Sequence, residues 1–393
     1  MSSQAEEQWP WLGLLKWSLT YVDGTVPSEE SEDFKKMSKE DIAFLEEVMK
    51  NGIIDEGDRM KKILKHLITY FEHIQGGSSA KAVEEEKTSQ DEKDEFADPL
   101  SVNEIEELLQ ELQDIVEQID FAKSFSTMGG IPFLIGCASQ STKVPTNIRA
   151  ACLEVLGTMT QNNPAVQYTM LEQGNIPKLV DIFFAEYLRG DADDASMIQA
   201  RALQAMSCSV RNHDIGEKIF CMNTEARKMV EASLGLYSHE IESEKGKEAL
   251  PKPSDNMRRK ALFFMQALVT SDSADSERIC LFNNAIQYVA SRFIDKGTES
   301  NADIREMALS MLTRILDQKK SVNAVLDVKS YLVTLGIKSI AEMRKLKGDE
   351  KDLFGEELRL WEMLISQLSR AVRDEANPDH EASSSSSPLL LGS

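Results

Sequence analysis

GIPFLI at residues 130–135 and GNIPKLV at residues 174–180 are two copies of one sequence element, and they decide the fold. Their isoleucine-proline pairs begin at residues 131 and 176, an offset of 45 residues. A degenerate copy, NAIQYV, follows at 284–289. Glycine commonly ends a helix in a left-handed cap, and proline is favoured in the first turn of the next helix. The element therefore predicts a junction between two helices that recurs along the chain.

A second element opens a helix four times, with an apolar residue followed by Arg or Gln. Apolar or small residues tend to follow at +3, +4, +7, +8 and +11, which is one face of a helix. Its copies start 50, 59 and 47 residues apart, and insertions at 189–196 and 238–255 explain the longer offsets. A helical period near 40–47 residues is typical of armadillo or HEAT repeats. The four copies are Ile148-Arg149, Ile198-Gln199, Met257-Arg258 and Ile304-Arg305.

We therefore predict an all-α fold, an armadillo-like solenoid flanked by N-terminal helices and a C-terminal capping helix. The core of about four repeats occupies 99–346, and the capping helix lies in 347–373 with its helical pattern at 353–372. An N-terminal helical pair at 36–74 is predicted from helices at about 38–50 and 56–74. The remaining segments are a flexible N-terminal arm at 1–35, a charged linker at 75–98 and a disordered tail at 374–393.

The composition excludes some classes of partner. The chain has 393 residues with 44 basic and 66 acidic side chains, a net charge of −22, so it repels phosphate backbones and nucleic acid is not its main ligand. Five cysteines form no C-x-x-C pair and indicate buried thiols in a reducing compartment. The apolar N-terminal stretch is interrupted by polar residues and is too short to span a bilayer. We expect a cytoplasmic protein, with the nucleus possible, and no membrane partner.

Sequence motifs for catalysis are missing. The sequence contains no phosphate-binding loop, no nucleophile elbow, no dinucleotide fingerprint and no H-E-x-x-H zinc motif. His66 and His73 lie two helical turns apart, which is a long gap for one metal ion. The many acidic pairs are better explained as solvated helix faces. We expect no catalytic residue, no metal, no cofactor and no enzymatic activity.

A curved helical rod instead offers a long concave surface for binding. The helix that begins with the second element is expected to line it, so the polar positions outside its apolar stripe become candidates for partner contacts. Ordinary solvated or inter-repeat polar residues are the alternative interpretation. The candidates are Arg149, Glu154, Gln161, Asn162, Arg201, Arg211, Lys260 and Gln266.

Five blocks in a fixed order carry a resemblance to a known family. They are LLKWSLTYVDGT at 14–25, LLQELQDIVEQIDFAKSF at 108–125, GTMTQNNPAVQ at 157–167, ALQAMSCSVRN at 202–212 and RRKALFFMQALV at 258–269. In this order they resemble the armadillo-type nucleotide exchange factors of 70-kDa heat-shock (DnaK-type) chaperones, the cytosolic Fes-one and heat-shock-protein-binding-protein family. The sequence departs from that family in a longer acidic linker and in the insertion at 238–255.

The resemblance implies a function. The concave face would embrace one lobe of the chaperone's ATPase domain, and that binding would be incompatible with the closed, ADP-holding state. ADP would then leave and ATP could enter, with no cofactor. We expect a monomer. A generic armadillo adaptor or scaffold without exchange activity is the alternative, although import adaptors usually carry tryptophan ladders and this chain has no tryptophan between Trp17 and Trp361. An enzyme of helical-repeat fold has no supporting motif.

The apolar stretch WPWLGLLKWSLTYVDGT at 9–25 allows three interpretations. It could dock on the chain's own helices at about 40–74, lie on a membrane surface, or act as a mobile mimic of a chaperone client. The resemblance implies the third, in which the arm occupies the chaperone's peptide groove to free the client. The residues predicted to do so are Leu14, Leu15, Lys16 and Trp17.

Overall fold

The computed structural model describes seven ranges of the chain. They are 56–74, 100–187, 192–236, 241–243, 246–248, 253–318 and 323–376. The chain divides into two compact units, Met1–Lys65 and His66–Ser393, and the division falls inside the first described helix. The predicted helix at 38–50, the arm residues Leu14, Leu15, Lys16 and Trp17, the linker at 75–98 and most of the predicted tail lie outside the described residues.

Helix α1 (Glu56–Ile74) occupies the residues predicted for it. Acidic side chains in its first turn and His73 in its last turn complement the helix dipole. One stripe of its side chains is buried, with helical spacing. The ring of Phe71 meets that of Phe133 edge-on at 5.4 Å, so its C-terminal turn is packed. The buried stripe consists of Met60, Ile63, Leu67, Tyr70 and Phe71.

The second unit is built from helices in groups of three, and this confirms the predicted all-α, armadillo-like repeat. A leading helix, α2 (Val102–Val116), precedes them. The four complete groups are α3 (Ile119–Thr127), α4 (Gly130–Ser139) and α5 (Thr146–Thr160); α6 (Pro164–Glu172), α7 (Asn175–Tyr187) and α8 (Ala192–Val210); α9 (Asp214–Met222), α10 (Thr224–Leu234) and α11 (Asp255–Val269); and α12 (Ser276–Cys280), α13 (Asn283–Arg292) and α14 (Ala302–Asp317).

A fifth group follows, where four repeats and one capping helix were predicted. It consists of α15 (Asn323–Leu326), α16 (Lys329–Met343), the short α17 (Asp349–Leu353) and α18 (Gly355–Ala376). Helix α18 is the predicted capping helix, and it packs on α14 and α16. Trp361, Leu364 and Leu368 on its inner side are buried. The last helix therefore takes the place of a third helix in this group.

Equivalent helices of successive groups pack on one another in three rows. In the first row α3 contacts α6 and α6 contacts α9, and in the second row α4, α7, α10 and α13 follow in order. In the third row α2, α5, α8, α11, α14 and α18 pack successively. Because every third helix rests on its counterpart in the next group, the apolar stripes of the third row close one continuous core.

The apolar stripes of the third helices form the centre of this core, as their spacing predicts. In α5 the side chains of Ile148, Cys152, Val155, Leu156 and Met159 are buried. The same positions of α14 are buried in turn, with Met307 half-buried. The buried set in α14 is Ile304, Ala308, Met311, Leu312 and Ile315.

The glycine-proline junction has the expected form, with one correction. Gly174 has a positive φ of 63° and α7 begins at the next residue. In the first copy the left-handed residue is Gly129, with φ 88°, rather than Gly130. Gly130 already lies in α4, and a Cβ there would come within 2.3 Å of the Phe125 ring. Gly130 is thus required by close packing, and Gly129 by its backbone conformation.

The two predicted insertions differ from a simple loop. Helix α8 begins at Ala192, so part of the 189–196 insertion extends the helix. The 238–255 insertion contains a small antiparallel hairpin, β1 (Ile241–Ser243) with β2 (Gly246–Glu248), in which Ile241 pairs with Glu248. The hairpin connects α10 to α11 and leaves the helical rows intact.

Two expectations about surface and burial can be checked directly. Four of the five cysteines are buried, but Cys280 at the end of the short α12 is exposed, so the prediction of buried thiols is wrong for that residue. Among the described residues, no helix combines the length and the apolar character needed to cross a membrane.

Candidate functional site

The arginine of the second element is a structural residue, and the prediction that Arg149 lies on an accessible binding surface is wrong. Arg149 is 1% exposed. Its Nε donates to the carbonyl of Ala138 at 2.8 Å, and its guanidinium bonds Glu186 Oε1 at 2.7 Å. Ala138 lies near the end of α4, and Glu186 near the end of α7 in the next group. The first turn of a third helix is therefore covered by neighbouring helix ends.

The same arrangement recurs at two later copies of the element. Arg258 pairs with Glu299, and both side chains are buried. Arg305 donates from Nε and a terminal nitrogen to the two oxygens of Glu357, at 2.9 and 2.7 Å. These hydrogen bonds, which Arg305 donates to Glu357, are the main cause that raises the pKa of Arg305. We call the pairs Arg149–Glu186, Arg258–Glu299 and Arg305–Glu357 the arginine clamps, and each joins one group to the next.

The exposed side of the third helices carries the other predicted residues. Arg201 in α8 pairs with Glu154 in α5 at 2.7 Å, and each side chain is about one third exposed. Lys260 in α11 donates to Gln204 in α8 at 2.6 Å. Polar side chains thus bridge three successive third helices on one side. We call the surface formed by Glu154, Arg201, Gln204, Lys260 and Phe263 the third-helix face.

Phe263 is the residue that sequence reasoning missed. It is 50% exposed, and the guanidinium of Arg211 lies 4.5 Å from the centre of its ring. The sequence has two adjacent phenylalanines, and Phe264, its neighbour, is fully buried. The available signal was spacing, because Phe263 follows Lys260 by three residues and so shares its side of the helix.

Arg211 has donor capacity left at this point. Its Nε is a buried atom, and no described residue accepts a hydrogen bond from it. The stacked ring of Phe263 holds the guanidinium in place by a cation–π contact. The arrangement presents a positioned arginine next to an exposed aromatic ring, and both arginine and aromatic residues are enriched at protein interfaces.

The remaining predicted residues lie at the ends of the helices. Gln161 and Asn162 are exposed where α5 ends, and Asn162 has a positive φ of 53°. Asn162 accepts a hydrogen bond from Asn212 at 3.4 Å, which links the ends of two third helices. Gln266 is half-buried, one turn after Phe263. The predicted residues that the structure joins directly are thus Glu154, Arg201 and Lys260, and Arg211 reaches this surface through its contact with Phe263.

The third-helix face and the residues beside it carry four basic side chains, although the chain as a whole is acidic. Arg201, Arg211, Arg259 and Lys260 are half-buried on α8 and α11 or directly after them, in a protein of net charge −22. Burial lowers the pKa of Lys260, and the nearby charge of Arg201 lowers it further. We call these four side chains the basic centre. Two of the four already have a carboxylate partner, because Arg201 pairs with Glu154 and Arg259 with Asp303.

Acidic residues flank the basic centre. Asp303 in α14 bonds Arg259 at 3.1 Å, and Glu306 lies one turn further along that helix. The pKa of Glu306 is raised, first by burial and then by the charges of Glu357, Glu356 and Asp303. The surface thus changes sign between α11 and α14, which specifies how a charged partner can be oriented.

The chemistry available here is that of recognition. Within the described ranges, no three or more His, Cys, Asp or Glu side chains are grouped so that they could hold a metal ion. Burial raises the pKa of the Cys208 thiol next to the basic centre, against the opposing effect of Arg211, so the thiol is neutral. Fixed cations, an exposed aromatic ring and amide groups suit the binding of a protein surface.

The chain is similar to solved structures of engineered and designed proteins. No protein-family model matches the chain, and no curated protein matches it. Among solved structures, one engineered protein is 13% identical with a TM-score of 0.45, covering 68% of this chain and 92% of its own. A second engineered protein is 14% identical with a TM-score of 0.45. That match covers 69% of this chain and 56% of the engineered protein. A designed armadillo repeat protein is 10% identical with a TM-score of 0.46, covering 68% and 94%. All three TM-scores are below 0.5. The armadillo-like repeat is therefore assigned from the helix groups described above and not from these similarities.

Proposed function

We propose that the protein is a nucleotide exchange factor for a cytosolic 70-kDa heat-shock chaperone, and that it binds the chaperone's ATPase domain through the third-helix face. The observation that supports this most directly is a basic centre with an exposed aromatic ring in a chain of net charge −22. Gln204, Arg211, Lys260 and Phe263 also fall inside blocks that resemble the exchange-factor family.

The mechanism is a shift of population. A factor that binds the open state of the ATPase domain more tightly than the closed state promotes the open state by that difference in affinity alone. ADP leaves the open state because its binding surfaces have separated. No catalytic side chain and no cofactor are needed, so the role of this chain's residues is to bind and orient.

The experiment is ADP release from a chaperone loaded with fluorescent ADP. The full chain should accelerate release many-fold. The charge reversal Arg201→Glu with Lys260→Glu should reduce the acceleration at least about tenfold, because two contacts of an interface centre are lost. The matched control is Lys123→Glu with Lys218→Glu, which makes the same change of charge at exposed positions of α3 and α9. No acceleration by the unmodified chain with any cytosolic 70-kDa chaperone would refute the function.

The N-terminal arm is a second part of this proposal. Leu14, Leu15, Lys16 and Trp17 combine apolar side chains with one base, the kind of segment that a DnaK-type groove accepts in the resembling family. Deleting residues 1–35 should leave ADP release intact and slow the release of a bound client peptide. If both rates fall together, the arm acts as part of the exchange site and the client-mimic role is wrong.

A generic armadillo-like adaptor without exchange activity is the alternative. The repeat architecture by itself supports a binding scaffold and no particular partner. The same assay separates the two functions, because an adaptor would bind a chaperone, or another protein, without changing the rate of ADP release. We expect a monomer in the cytoplasm in either case.

A further inference from the structure

Helix α9 carries two apolar faces, although it lies at the surface. Its inner face packs Phe220 and Cys221 into the core. Its outer face holds Ile215, Ile219 and Met222, which are 57%, 43% and 70% exposed. These three residues follow the i, i+4, i+7 spacing of one helical stripe. A surface helix needs one apolar stripe, so the outer stripe has no role in the helix's own packing.

The neighbouring helices of the first row carry two more exposed apolar side chains. Tyr168 in α6 is 54% exposed and Ile119 in α3 is 61% exposed. Leu171 of α6 lies 3.4 Å from the position of a Cβ on Gly216, which places the first turn of α9 beside α6. Asn163 at the start of α6 donates to the carbonyl of Ile119 at 3.3 Å. We call Ile119, Tyr168, Ile215, Ile219 and Met222 the first-row ridge.

The repeat architecture does not require these residues. Helix α12 occupies the same place in the fourth group and turns Ser276, Glu277 and Cys280 to solvent. Counted from the helix cap, Glu277 stands where α9 has Ile215. At the next position of the stripe, where α9 has Ile219, Leu281 is 38% exposed, so the equivalent helix keeps one exposed apolar side chain where α9 has three. Clustered exposed apolar side chains that the fold does not need mark interaction surfaces.

The charges beside the ridge identify the partner. Glu117, Asp120, Glu172 and Asp214 are exposed on or next to the three helices, against two lysines, Lys123 and Lys218. A second copy of this chain would bring the same acidic flanks and a net charge of −22 to the contact, which disfavours self-association. A short row of apolar side chains with acidic flanks fits an amphipathic helix whose polar side is basic.

We propose that the first-row ridge is a docking surface for a basic amphipathic helix of another protein. The first-row ridge lies on first-row helices and shares no residue with the third-helix face. The docking proposal is therefore independent of the proposed exchange function. Its apolar residues supply affinity, and its acidic flanks select the sign of the partner.

The test uses a labelled synthetic peptide of about 18 residues, about five helical turns, with leucine on one face and lysine on the other. Its binding to the full chain is measured by fluorescence anisotropy. Ile219→Ser with Met222→Ser should weaken binding at least about tenfold, since two exposed apolar contacts are lost. The control is Ile337→Ser with Leu353→Ser, at positions 61% and 70% exposed elsewhere in the second unit, and it should change binding less than about twofold.

Each alternative has a distinct result. A peptide with every leucine replaced by serine keeps the charge, and equal binding of this peptide would show that attraction is electrostatic only and overturn the proposal. Equal loss in the ridge and control variants would also overturn it, as would a dimer of the unmodified chain that the ridge variant disrupts. Should the ridge variant fail to fold, hydrogen exchange of the unmodified chain decides: the peptide must protect 214–222, and no protection refutes the docking surface.

Discussion

The sequence makes Arg149 and Arg201 equivalent candidates for a binding surface, but the structure places them in opposite environments. Both lie on third helices, and both bond a glutamate from a neighbouring third or second helix at 2.7 Å. Arg149 and Glu186 are almost wholly buried, whereas the side chains of Arg201 and Glu154 are each about one third exposed. The distance between charges is therefore the same, and burial decides which pair determines stability and which remains open to a partner.

The physical reason is the cost of removing one partner. A buried charge that loses its counter-ion cannot be solvated, and such losses typically cost about 3–5 kcal/mol. A partly exposed charge regains water when its partner is removed, and exposed pairs contribute about 0.2–1 kcal/mol. The predictions below start from this contrast and run from the largest expected effect to the smallest.

Arg149→Met should lower the free energy of unfolding by about 3–5 kcal/mol, because Glu186 stays buried without this partner. Urea denaturation followed by circular dichroism measures the change. Adding Glu186→Leu should recover most of the loss, since an apolar pair needs no counter-ion. A loss below about 1 kcal/mol in the single variant would show that the clamp behaves like an exposed pair.

Phe263→Ser should weaken binding of the ATPase domain by about 1.5–3 kcal/mol, roughly ten- to a hundredfold, if that ring is buried in the complex. Calorimetric titration of the nucleotide-free chaperone domain gives the dissociation constant. Ile337→Ser, at another exposed apolar position, serves as the control and should leave affinity unchanged. Equal affinities in all three proteins would remove Phe263 from the interface.

The pair Arg201–Glu154 should show a coupling free energy of only about 0.2–1 kcal/mol in a double-mutant cycle of Arg201→Met and Glu154→Gln. Unfolding free energies of the four proteins give this value. The small coupling would leave Arg201 free to exchange its partner on binding. A coupling near that of the buried clamps would contradict the contrast drawn above.

The smallest expected effect is on the pKa of Lys260. Arg201→Met removes a neighbouring positive charge, so the pKa of Lys260 should rise. It should stay below the usual lysine value, because burial is the larger cause of the lowered pKa and is unchanged. Nuclear magnetic resonance titration of labelled lysine measures it. A pKa that stays the same or falls would show that Arg201 does not act on Lys260.

The lowered pKa of Lys260 also determines the direction in which stability changes with pH. Below the folded pKa of Lys260 both states hold the proton, and the cost of the buried charge is fully present. Between that value and the usual lysine pKa the unfolded state binds more protons, so stability rises with pH. Lys260→Met should remove this contribution to the rise.

Much of the fold was predictable from periodicity, because the pattern reports which side of a helix is buried. The four copies of the second element led directly to the third helices, and the stripe beginning at Ile148 is buried as predicted. Periodicity gives no information on what covers a helix end, and for this reason Arg149 was assigned to the surface. Phe263 was also missed, because hydrophobicity favours burial of both adjacent phenylalanines, and only the spacing from Lys260 separates Phe263 from the buried Phe264.

The candidate site was predictable in part. Spacing placed Glu154, Arg201 and Lys260 on the exposed side of their helices, where the structure has them. Their pairing across groups depends on how α5, α8 and α11 stack, which no local pattern specifies. The basic centre likewise arises only when Arg211 at the end of α8 comes beside α11.

The arginine clamps also determine which fragments of this chain should fold. The guanidiniums at the start of α5, α11 and α14 each have their counter-ion in the next group, so the groups that a clamp joins share their folding free energy and should unfold together. A fragment that ends at residue 346, the predicted end of the core, would lack Glu357 and leave the guanidinium of Arg305 buried without its carboxylate. The shortest fragment of the array that keeps all three arginine clamps must therefore include α18.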